Sequence, residues 1–326
     1  MSDPHAQKDS SAVKHPRITS KFYLATATPA AKNPDIPRRR CLYESMFRLM
    51  LAPMEGYTDA ALRTLCFRHG ADLTFTEMAH VESLLHGNRS SLSKVAAHDS
   101  TPVQIQLLTG RDDHLDRFVS GFKPFPGFEG FNLNLSCPSP DVIRKGKGAA
   151  MVKRAAKTGR LASIIRGHGY QVSLKLRLGT NAHEKAGKVY LNALGRVEAD
   201  LYIVHAKTAA QGSVEPDDPS VYPECVEAAS GRPVIANGGI DSAEKAEALR
   251  EMGLAGAMIG RAALRDPAIF DALRNQLRLN IPPRPVPGID ELMREYAALH
   301  ADLGGDQSHL ENLLRVALRK ADVSQV

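Results

Sequence analysis

The chain has 326 residues, 43% of them hydrophobic, and a formal net charge of +6. This length allows a large buried core, so a small scaffold held by disulfides is excluded. The cysteines form no C-x-x-C pair, and no apolar run approaches the roughly 20 residues of a membrane span. We therefore expect no metal site and no membrane partner. Because no secretory signal is recognisable, we also expect a cytoplasmic protein with reduced thiols.

Residues 1–45 differ from the rest of the chain in composition. They are rich in Ser, Thr, Ala, Lys, Arg and Pro and show no sustained periodicity. This composition predicts a flexible N-terminal extension. Two alternatives stay open. In one, the true first residue is Met46 or Met50. In the other, the segment is a basic arm that ends in Arg38-Arg39-Arg40 and contacts a partner.

Short β-rich runs alternate with helical patterns from residue 46 onward. Strands are predicted at 47–54, 71–76, 101–108, 130–135, 170–178, 199–205, 232–237 and 255–260. Helical segments lie between them, among them 58–69, 112–121, 151–166 and 241–252. Eight βα repeats predict an α/β fold, a parallel (β/α)8 TIM barrel over residues 46–266.

The segment after the barrel, residues 267–326, is predicted to be a short C-terminal helical region. The sequence PPRPVPG at 282–288 is typical of a semi-rigid linker. Two amphipathic patterns follow the linker, and they predict helices over 289–303 and 307–321.

Polar and small residues fall at the carboxyl ends of the predicted strands, where the catalytic residues of such barrels lie. In chain order they are Pro53-Met54-Glu55-Gly56, Glu77, Gln106, Cys137, Lys175 with Arg177, His205, Asn237-Gly238-Gly239 and Gly260-Arg261. A lone histidine or lysine at a strand end is more often structural or solvated, and a buried cysteine is usually a small apolar side chain. Because eight strand ends meet at one barrel mouth, the set together predicts a single pocket.

The sequences IANGG and MIGRAAL put small residues where the seventh and eighth strands open into helices. Backbone N–H groups and a helix N-terminus can surround a phosphate there. Barrels commonly bind phosphate in the loops after these two strands. The alternative is that the glycines only permit tight turns. We favour a phosphorylated ligand.

Seven motifs, in this order, resemble those of the flavin-dependent tRNA-dihydrouridine synthases. They span about residues 51–265 and read LAPMEGYTDAALR, VQIQLL, NLNLSCPSPDVIRKGKGAAM, VSLKLRLG, LYIVHAKTAAQG, VIANGGI and AMIGRAAL. The resemblance implies a partner, tRNA, and two cofactors, FMN across the barrel mouth and NADPH as the electron donor.

The resemblance also implies roles for individual residues. The phosphate of FMN would lie on Gly238, Gly239, Gly260 and Arg261, and Asn237 would also bind the cofactor. The isoalloxazine ring would rest on Pro53 and Met54, and its polar edge would bond to Gln106, Lys175 and His205. The uracil would face Asn134 and Arg177, and the catalytic acid would be Cys137.

The residue types fit a reduction of uracil. Hydride transfer to C6 leaves enolate-like charge on the C4 carbonyl and a C5 carbon that needs a proton. A thiol is a reasonable donor, because a reference pKa of about 8.5 keeps it mostly protonated near neutral pH. General acids of this kind contribute about 10² to 10⁴ in rate. A lysine at position 175, beside the ring, would stabilise negative charge.

The stretch from Val142 to His183 contains ten Lys or Arg and no Asp or Glu. With the net positive charge, this run favours a surface that follows a phosphate backbone. The alternative is an ordinary solvated helix face. The resemblance further implies that residues 267–326 are tRNA-binding, although the two predicted helices are short for the helical domain of family members.

Three positions depart from the family pattern. Ser136 stands where Gly usually precedes the active Cys, Ala206-Lys207 replace the Gly-Arg of His-Gly-Arg-Thr, and Ser213 replaces an aromatic residue. They leave open which side chain packs on the uracil. The motifs NLSCP and ANGGI also fit dihydroorotate dehydrogenases, FMN barrels that act on a free pyrimidine. A third possibility is an RNA-binding barrel without turnover. The target uridine, the choice between NADPH and NADH, and the oligomeric state stay open.

Overall fold

The computed structural model describes residues 46–96 and 99–321, and the predicted extension of residues 1–45 lies outside the described residues. Strands and helices alternate along the chain. The strands are β1 (Arg48–Leu51), β2 (Thr74–Phe75), β3 (Ala79–His80), β4 (Val103–Leu108), β5 (Phe128–Leu135), β6 (Val172–Arg177), β7 (Leu201–His205), β8 (Val234–Asn237) and β9 (Gly256–Ile259).

The helices lie between and after these strands. They are α1 (Ala60–Arg68), α2 (Val81–Leu85), α3 (Arg89–Lys94), α4 (Asp112–Gly121), α5 (Pro140–Arg144), α6 (Ala155–Gly167), α7 (Ala182–Ala186), α8 (Val189–Arg196), α9 (Tyr222–Ala228), α10 (Ala243–Glu251), α11 (Arg261–Arg265), α12 (Ile269–Gln276), α13 (Ile289–Asp302) and α14 (Gln307–Ala321). Short 3₁₀ turns cover Gly148–Met151 and Pro219–Val221. None of the described helices is long and apolar enough to cross a membrane.

All strand pairs are parallel, in the order β1-β9-β8-β7-β6-β5-β4-β2, and β3 also pairs with β4. An isolated bridge between Met50 and Leu73 brings β1 to the β2 side. The sheet therefore closes into a barrel with helices alternating around it. The predicted TIM barrel is confirmed.

The second predicted strand, 71–76, differs from the observed one. The chain forms the two short strands β2 and β3 with a break at residues 76–78. The hydroxyl of Thr76 causes this break, because its oxygen accepts from Gln106 N at 3.0 Å and the same hydroxyl lies 2.9 Å from Glu77 O. A side chain thus replaces a ladder partner, and the backbone turns at Glu77 toward the barrel mouth.

The barrel interior divides into two halves. On or beside β1, β2, β7, β8 and β9 the inward side chains form an apolar cluster of Met50, Ala52, Leu73, Phe75, Leu201, Ile203, Ile235 and Met258. We call this side the apolar half. On β4, β5 and β6 the inward side chains are polar and hydrogen-bonded to one another, and we call that side the polar half.

The polar half contains a continuous chain of hydrogen bonds. Ser173 donates to Gln104, and Asn132 Nδ2 donates to Ser173 Oγ at 2.7 Å. Gln106 Nε2 donates to Asn132 Oδ1 at 2.8 Å, and Asn134 Nδ2 donates to Gln106 Oε1 at 2.9 Å. Buried amides with partners at both ends are held in one orientation. The chain therefore carries a fixed geometry from the barrel interior to its mouth.

The C-terminal helices pack on the outside of the barrel. The observed helices α13 and α14 match the predicted 289–303 and 307–321 closely, and α12 precedes them. Tyr296 on α13 donates to Asp59 Oδ2 at 3.1 Å, while Asp59 Oδ1 caps α1 by accepting from Leu62 N at 2.8 Å. These contacts fix α13 against the first helix of the barrel.

Candidate active site

Cys137 lies in the loop that follows β5, and the side chain of Asn134 holds this loop. Asn134 Oδ1 accepts from the backbone N–H groups of Ser136 and Cys137, both at 2.9 Å. Short polar side chains close local turns in this way. Because Asn134 Nδ2 is bonded to Gln106, the loop is an extension of the polar chain in the barrel. A contact of Asn134 with uracil stays a prediction.

Gly148 packs directly against Cys137 from the following segment. Its φ is +58°, and a Cβ atom there would lie 2.8 Å from Cys137 O and 3.0 Å from Cys137 Cβ. Ala149 N also donates to Cys137 O at 3.1 Å. The backbone of residue 137 is therefore fixed from two sides, while its side chain keeps partial access to solvent.

Two cations of β6 converge on the residue before the cysteine. Lys175 Nζ lies 3.4 Å from Ser136 Oγ, and Arg177 Nε donates to Ser136 O at 3.1 Å. Arg177 Nη1 also donates to Thr208 O at 2.8 Å. The structure thus brings together four predicted site residues, Asn134, Cys137, Lys175 and Arg177, around Ser136.

Lys175 is buried, with 7% of its surface exposed. Burial, with a smaller effect of the charge on Arg177, lowers the pKa of Lys175 to about 7. No carboxylate pairs with Lys175 within the part of the chain that the structure describes. A buried ammonium group without an acidic partner favours an electron-rich ligand.

His205 and Asp217 form a contact across the mouth of the apolar half. His205 Nε2 lies 3.1 Å from Asp217 Oδ1, yet among the described residues this buried oxygen completes no well-directed hydrogen bond. Burial lowers the pKa of His205 to about 4; Asp217 opposes this shift, and the charges of Lys175 and Arg177 add to it. The imidazole is therefore neutral at pH 7, and Asp217 Oδ1 is an acceptor open to a ligand.

Gly238 and Gly239 lie against the same carboxylate. Gly238 has φ +118°, and a Cβ atom there would lie 2.5 Å from Asp217 Oδ1 and 2.8 Å from His205 Cδ2. At Gly239, with φ +58°, it would lie 2.9 Å from Asp217 Oδ2. Glycine is required at both positions by conformation and by space. The loop after β8 is thus packed tightly beside His205.

The loops after β1, β8 and β9 also meet at the mouth. A Cβ atom at Gly260 would lie 3.4 Å from Met54 Sδ. Asn237 Nδ2 donates to Met258 O at 2.9 Å, which ties the ends of β8 and β9 together. Arg261 begins α11 and is exposed, and Pro53 is half-buried. These five predicted cofactor residues therefore lie along one side of the mouth.

Glu77 has a structural role that the sequence did not reveal. It is buried, and its Oε1 accepts from Gly56 N at 2.5 Å and Tyr57 N at 3.1 Å. His309 Nε2 lies 2.9 Å from the same oxygen. The position of Glu77 at a strand end was a signal for the site, and Ser136 stood out as a departure from the family pattern, whereas His309 and Asp217 carried no signal.

The basic run finds its acids elsewhere in the chain. Five of its ten cations pair with carboxylates outside the run, and the pairs are Arg144–Asp141, Lys147–Glu82, Lys153–Glu184, Arg160–Asp112 and Arg166–Glu198. Within the described residues, Lys145, Arg154 and Lys157 have no such partner. The unbalanced positive surface is thus smaller than the sequence predicts. No group of three or more His, Cys, Asp or Glu in the described ranges could hold a metal ion.

Comparison with known proteins gives a family and several relatives. The model of the family described as Dihydrouridine synthase matches residues 50–322. The tRNA-dihydrouridine synthase B of Pseudomonas putida is 33% identical over 274 residues, which cover 78% of this chain and 77% of that protein. The protein of that name from Xanthomonas campestris is 31% identical over 270 residues, 80% of each chain. A probable tRNA-dihydrouridine synthase of Helicobacter pylori is 32% identical over 237 residues, 70% of each chain.

Proposed function

The chain belongs to the dihydrouridine synthase family, and from this premise we propose that it reduces the C5–C6 double bond of a uridine in tRNA. FMN is the proposed resident cofactor and NADPH the proposed electron donor. The observation that carries the proposal is the convergence of Asn134, Cys137, Lys175 and Arg177 around Ser136 at the barrel mouth. Relatives that are named tRNA-dihydrouridine synthases support the choice of substrate.

The residues of the mouth fit FMN. Lys175 is a buried cation without an acidic partner in the described residues, and Asp217 Oδ1 is a buried acceptor that can receive a hydroxyl of the ribityl chain. The glycine loop beside Asp217 exposes backbone on the side where a phosphate is expected. The residues that would hold the cofactor are Pro53, Met54, Gln106, Lys175, His205, Asn237, Gly238, Gly239, Gly260 and Arg261.

Cys137 is the proposed proton donor. Reduced FMN supplies, when bound, the hydride that adds to C6 of the uracil. The S–H bond of Cys137 breaks as the C5–H bond forms, and the thiolate regains a proton from water before the next turnover. Asn134 orients the loop by holding two of its N–H groups. Arg177 supplies positive charge where the substrate carbonyl becomes negative, and Lys175 supplies it at the edge of the flavin ring.

A uridine in folded tRNA must leave its stack to reach the barrel mouth, at a cost of about a few kcal/mol. Contacts with phosphates must offset this cost. The cations Lys145, Arg154 and Lys157 are the proposed contacts, together with the C-terminal helices. A tRNA substrate also makes the cytoplasm the proposed location of the protein.

The test uses purified full-length protein, FMN, NADPH and tRNA transcribed without modification. We expect dihydrouridine at defined positions of the tRNA. If no dihydrouridine formed and the protein oxidised free dihydroorotate, the result would instead support a dihydroorotate dehydrogenase. Tight tRNA binding by a protein that neither binds flavin nor turns over would support the RNA-binding barrel.

The proposed phosphate contacts are tested by the salt dependence of tRNA binding. Reversal of Lys145 and Arg154 to Glu should reduce the slope of log affinity for tRNA against log salt by about 0.7 to 0.9 for each phosphate that the variant no longer binds. Arg250→Glu on α10, where Arg250 pairs with Glu247, is the control and should leave the slope unchanged. An unchanged slope in the double variant would move the RNA contacts to another surface.

A further inference from the structure

One face of α14 contacts the loop between β1 and α1. Asn312 Nδ2 donates to Gly56 O at 3.0 Å. Glu77 Oε1 accepts from Gly56 N and Tyr57 N, and His309 Nε2 binds the same oxygen. The peptide groups on both sides of Gly56 are therefore held by α14, one directly and one through Glu77.

The conformation of Gly56 makes this docking specific. Its φ is +77°, and a Cβ atom there would lie 3.3 Å from Asn312 Nδ2. The loop is a tight turn, since Tyr57 N and Thr58 N both donate to Met54 O at 3.1 Å and Met54 N donates to Thr58 Oγ1 at 2.8 Å. A shift of Gly56 is therefore transmitted to Met54, which the proposed function puts under the flavin ring.

Glu77 and His309 are buried enough that each needs the other as its charged partner. Burial would raise the pKa of Glu77, but His309, Lys94 and the Gly56 N–H together lower it. The hydrogen bond with Glu77 is the main reason why the pKa of His309 is raised. Removing one member of a buried pair leaves the other charge uncompensated. The charged groups that face this pair from the packed elements are Asp59, Arg63, Lys94 and Asp306.

We propose that His309 and Asn312 are positioning residues of the flavin pocket, a role that rests on the proposed function. Helix α14 holds the loop of residues 53–57 on the side away from the pocket. The wall of the pocket that faces the flavin ring is therefore complete only while α14 is docked. The C-terminal region thus serves the cofactor site as well as any RNA contact. Neither residue touches the reacting atoms. His309 acts through Glu77, and Asn312 acts through Gly56.

The test compares His309→Ala and Asn312→Ala with Gln307→Ala. Gln307 is exposed on the same helix and pairs only with Glu311 among the described residues, so its variant is the control. Each of the two test variants should weaken FMN binding by about 3- to 10-fold, as expected for one hydrogen bond, and shift the visible spectrum of the bound flavin. Hydrogen exchange of the Gly56 and Tyr57 amides in the flavin-free chain should become faster in both variants and stay unchanged in the control.

The pH profile separates the two residues. Wild-type FMN affinity should fall as pH rises through the raised pKa of His309, because His309 then loses its proton and Glu77 its charged partner. Asn312→Ala should keep this dependence, whereas His309→Ala should keep only the part that the titration of Lys175 contributes. Exchange, spectrum and FMN affinity equal to wild type in both variants would overturn the inference, even if tRNA binding weakened. If the wild type bound no FMN, the proposed function would fail, and exchange in the flavin-free chain would still decide whether α14 holds the loop.

Discussion

The two halves of the barrel interior use opposite means to build one mouth. In the polar half, a chain of hydrogen bonds runs from Gln104 to Asn134 and continues into the cysteine loop. In the apolar half, aliphatic and aromatic side chains fill the interior, and the mouth is formed by glycine-rich loops. The polar half thus fixes the side chains to which the proposed function assigns the chemistry, whereas the apolar half exposes backbone in the loops proposed to hold the cofactor.

The largest expected effect lies in the polar half. Cys137→Ala should keep its FMN and its reduction by NADPH, but reoxidation of the flavin by tRNA should slow by about 10² to 10⁴ fold, because the proton donor is lost. Stopped-flow absorbance of the flavin measures both steps. Cys66→Ala on α1 is the matched control and should reoxidise at the wild-type rate. A wild-type rate in Cys137→Ala would remove the assignment of the acid.

The apolar half is tested by Gly238→Ala. The added Cβ would collide with Asp217 Oδ1 and His205 Cδ2 at a positive φ, a strain of about 1–3 kcal/mol. We expect a loss of FMN affinity of at least about 10-fold and a lower melting temperature. Gly159→Ala on α6, where nothing lies within 4 Å of the new Cβ, should instead stabilise the protein by about 0.5–1 kcal/mol. Normal FMN retention in Gly238→Ala would show that the loop is not part of the cofactor site.

Lys175 connects the two halves, and its titration gives a smaller effect. Its pKa of about 7 in the flavin-free protein means that it loses its charge as pH rises through 7. Affinity for FMN should therefore fall between pH 6 and 8.5 by up to about 10-fold, since an electron-rich ring edge favours the charged form. Lys175→Met should bind FMN weakly and keep only the part of the pH dependence that comes from His309. Lys157→Met should keep the wild-type profile, and an undiminished pH dependence in Lys175→Met would assign the titration to another group.

The smallest effect concerns stability and the ion pair that supports the apolar half from outside. The pKa of His309 is raised in the folded state, so its contribution is complete below about pH 6.5 and is lost as pH rises through the folded-state value. The pKa of Glu77 is lowered, so its contribution is lost as pH falls below about 4.5. Between pH 6 and pH 9, chemical unfolding should show wild type losing about 1 kcal/mol of stability relative to His309→Gln, a comparison in which the titration of Lys175 cancels. An equal change of stability in both proteins would contradict the assignment.

The fold could be predicted from the sequence because its signals are local. The alternation in NLNL and VSLKLR is typical of strands, and both segments lie in strands, β5 and β6, with their polar residues inward and their apolar residues outward. The break between β2 and β3 escaped prediction, because it depends on one hydroxyl, that of Thr76, taking the place of a ladder bond.

The sequence pointed to the types of residue at the site, but to only some of the residues that contact them. The sequence singled out Cys137, Lys175 and His205, but it held no sign of Asp217 beside His205 or of His309, which is 232 positions from Glu77. Such contacts depend on tertiary packing and leave no local pattern. The basic run overestimated the unbalanced surface charge, because three of its acids, Glu82, Asp112 and Glu198, come from other segments, and two more, Asp141 and Glu184, lie just beyond its ends.

The junction between β1 and β2 has a consequence for cooperativity. A single bridge joins Met50 to Leu73, and Arg274 of α12 supports this junction by donating to Gly70 O at 2.8 Å and by pairing with Asp72. Sub-global opening begins where the fewest bonds join neighbouring elements. The helices after the barrel therefore stabilise its weakest junction, the one between β1 and β2. The barrel and its tail should unfold as one cooperative unit, so a chain cut after residue 266 would lose the barrel along with the tail.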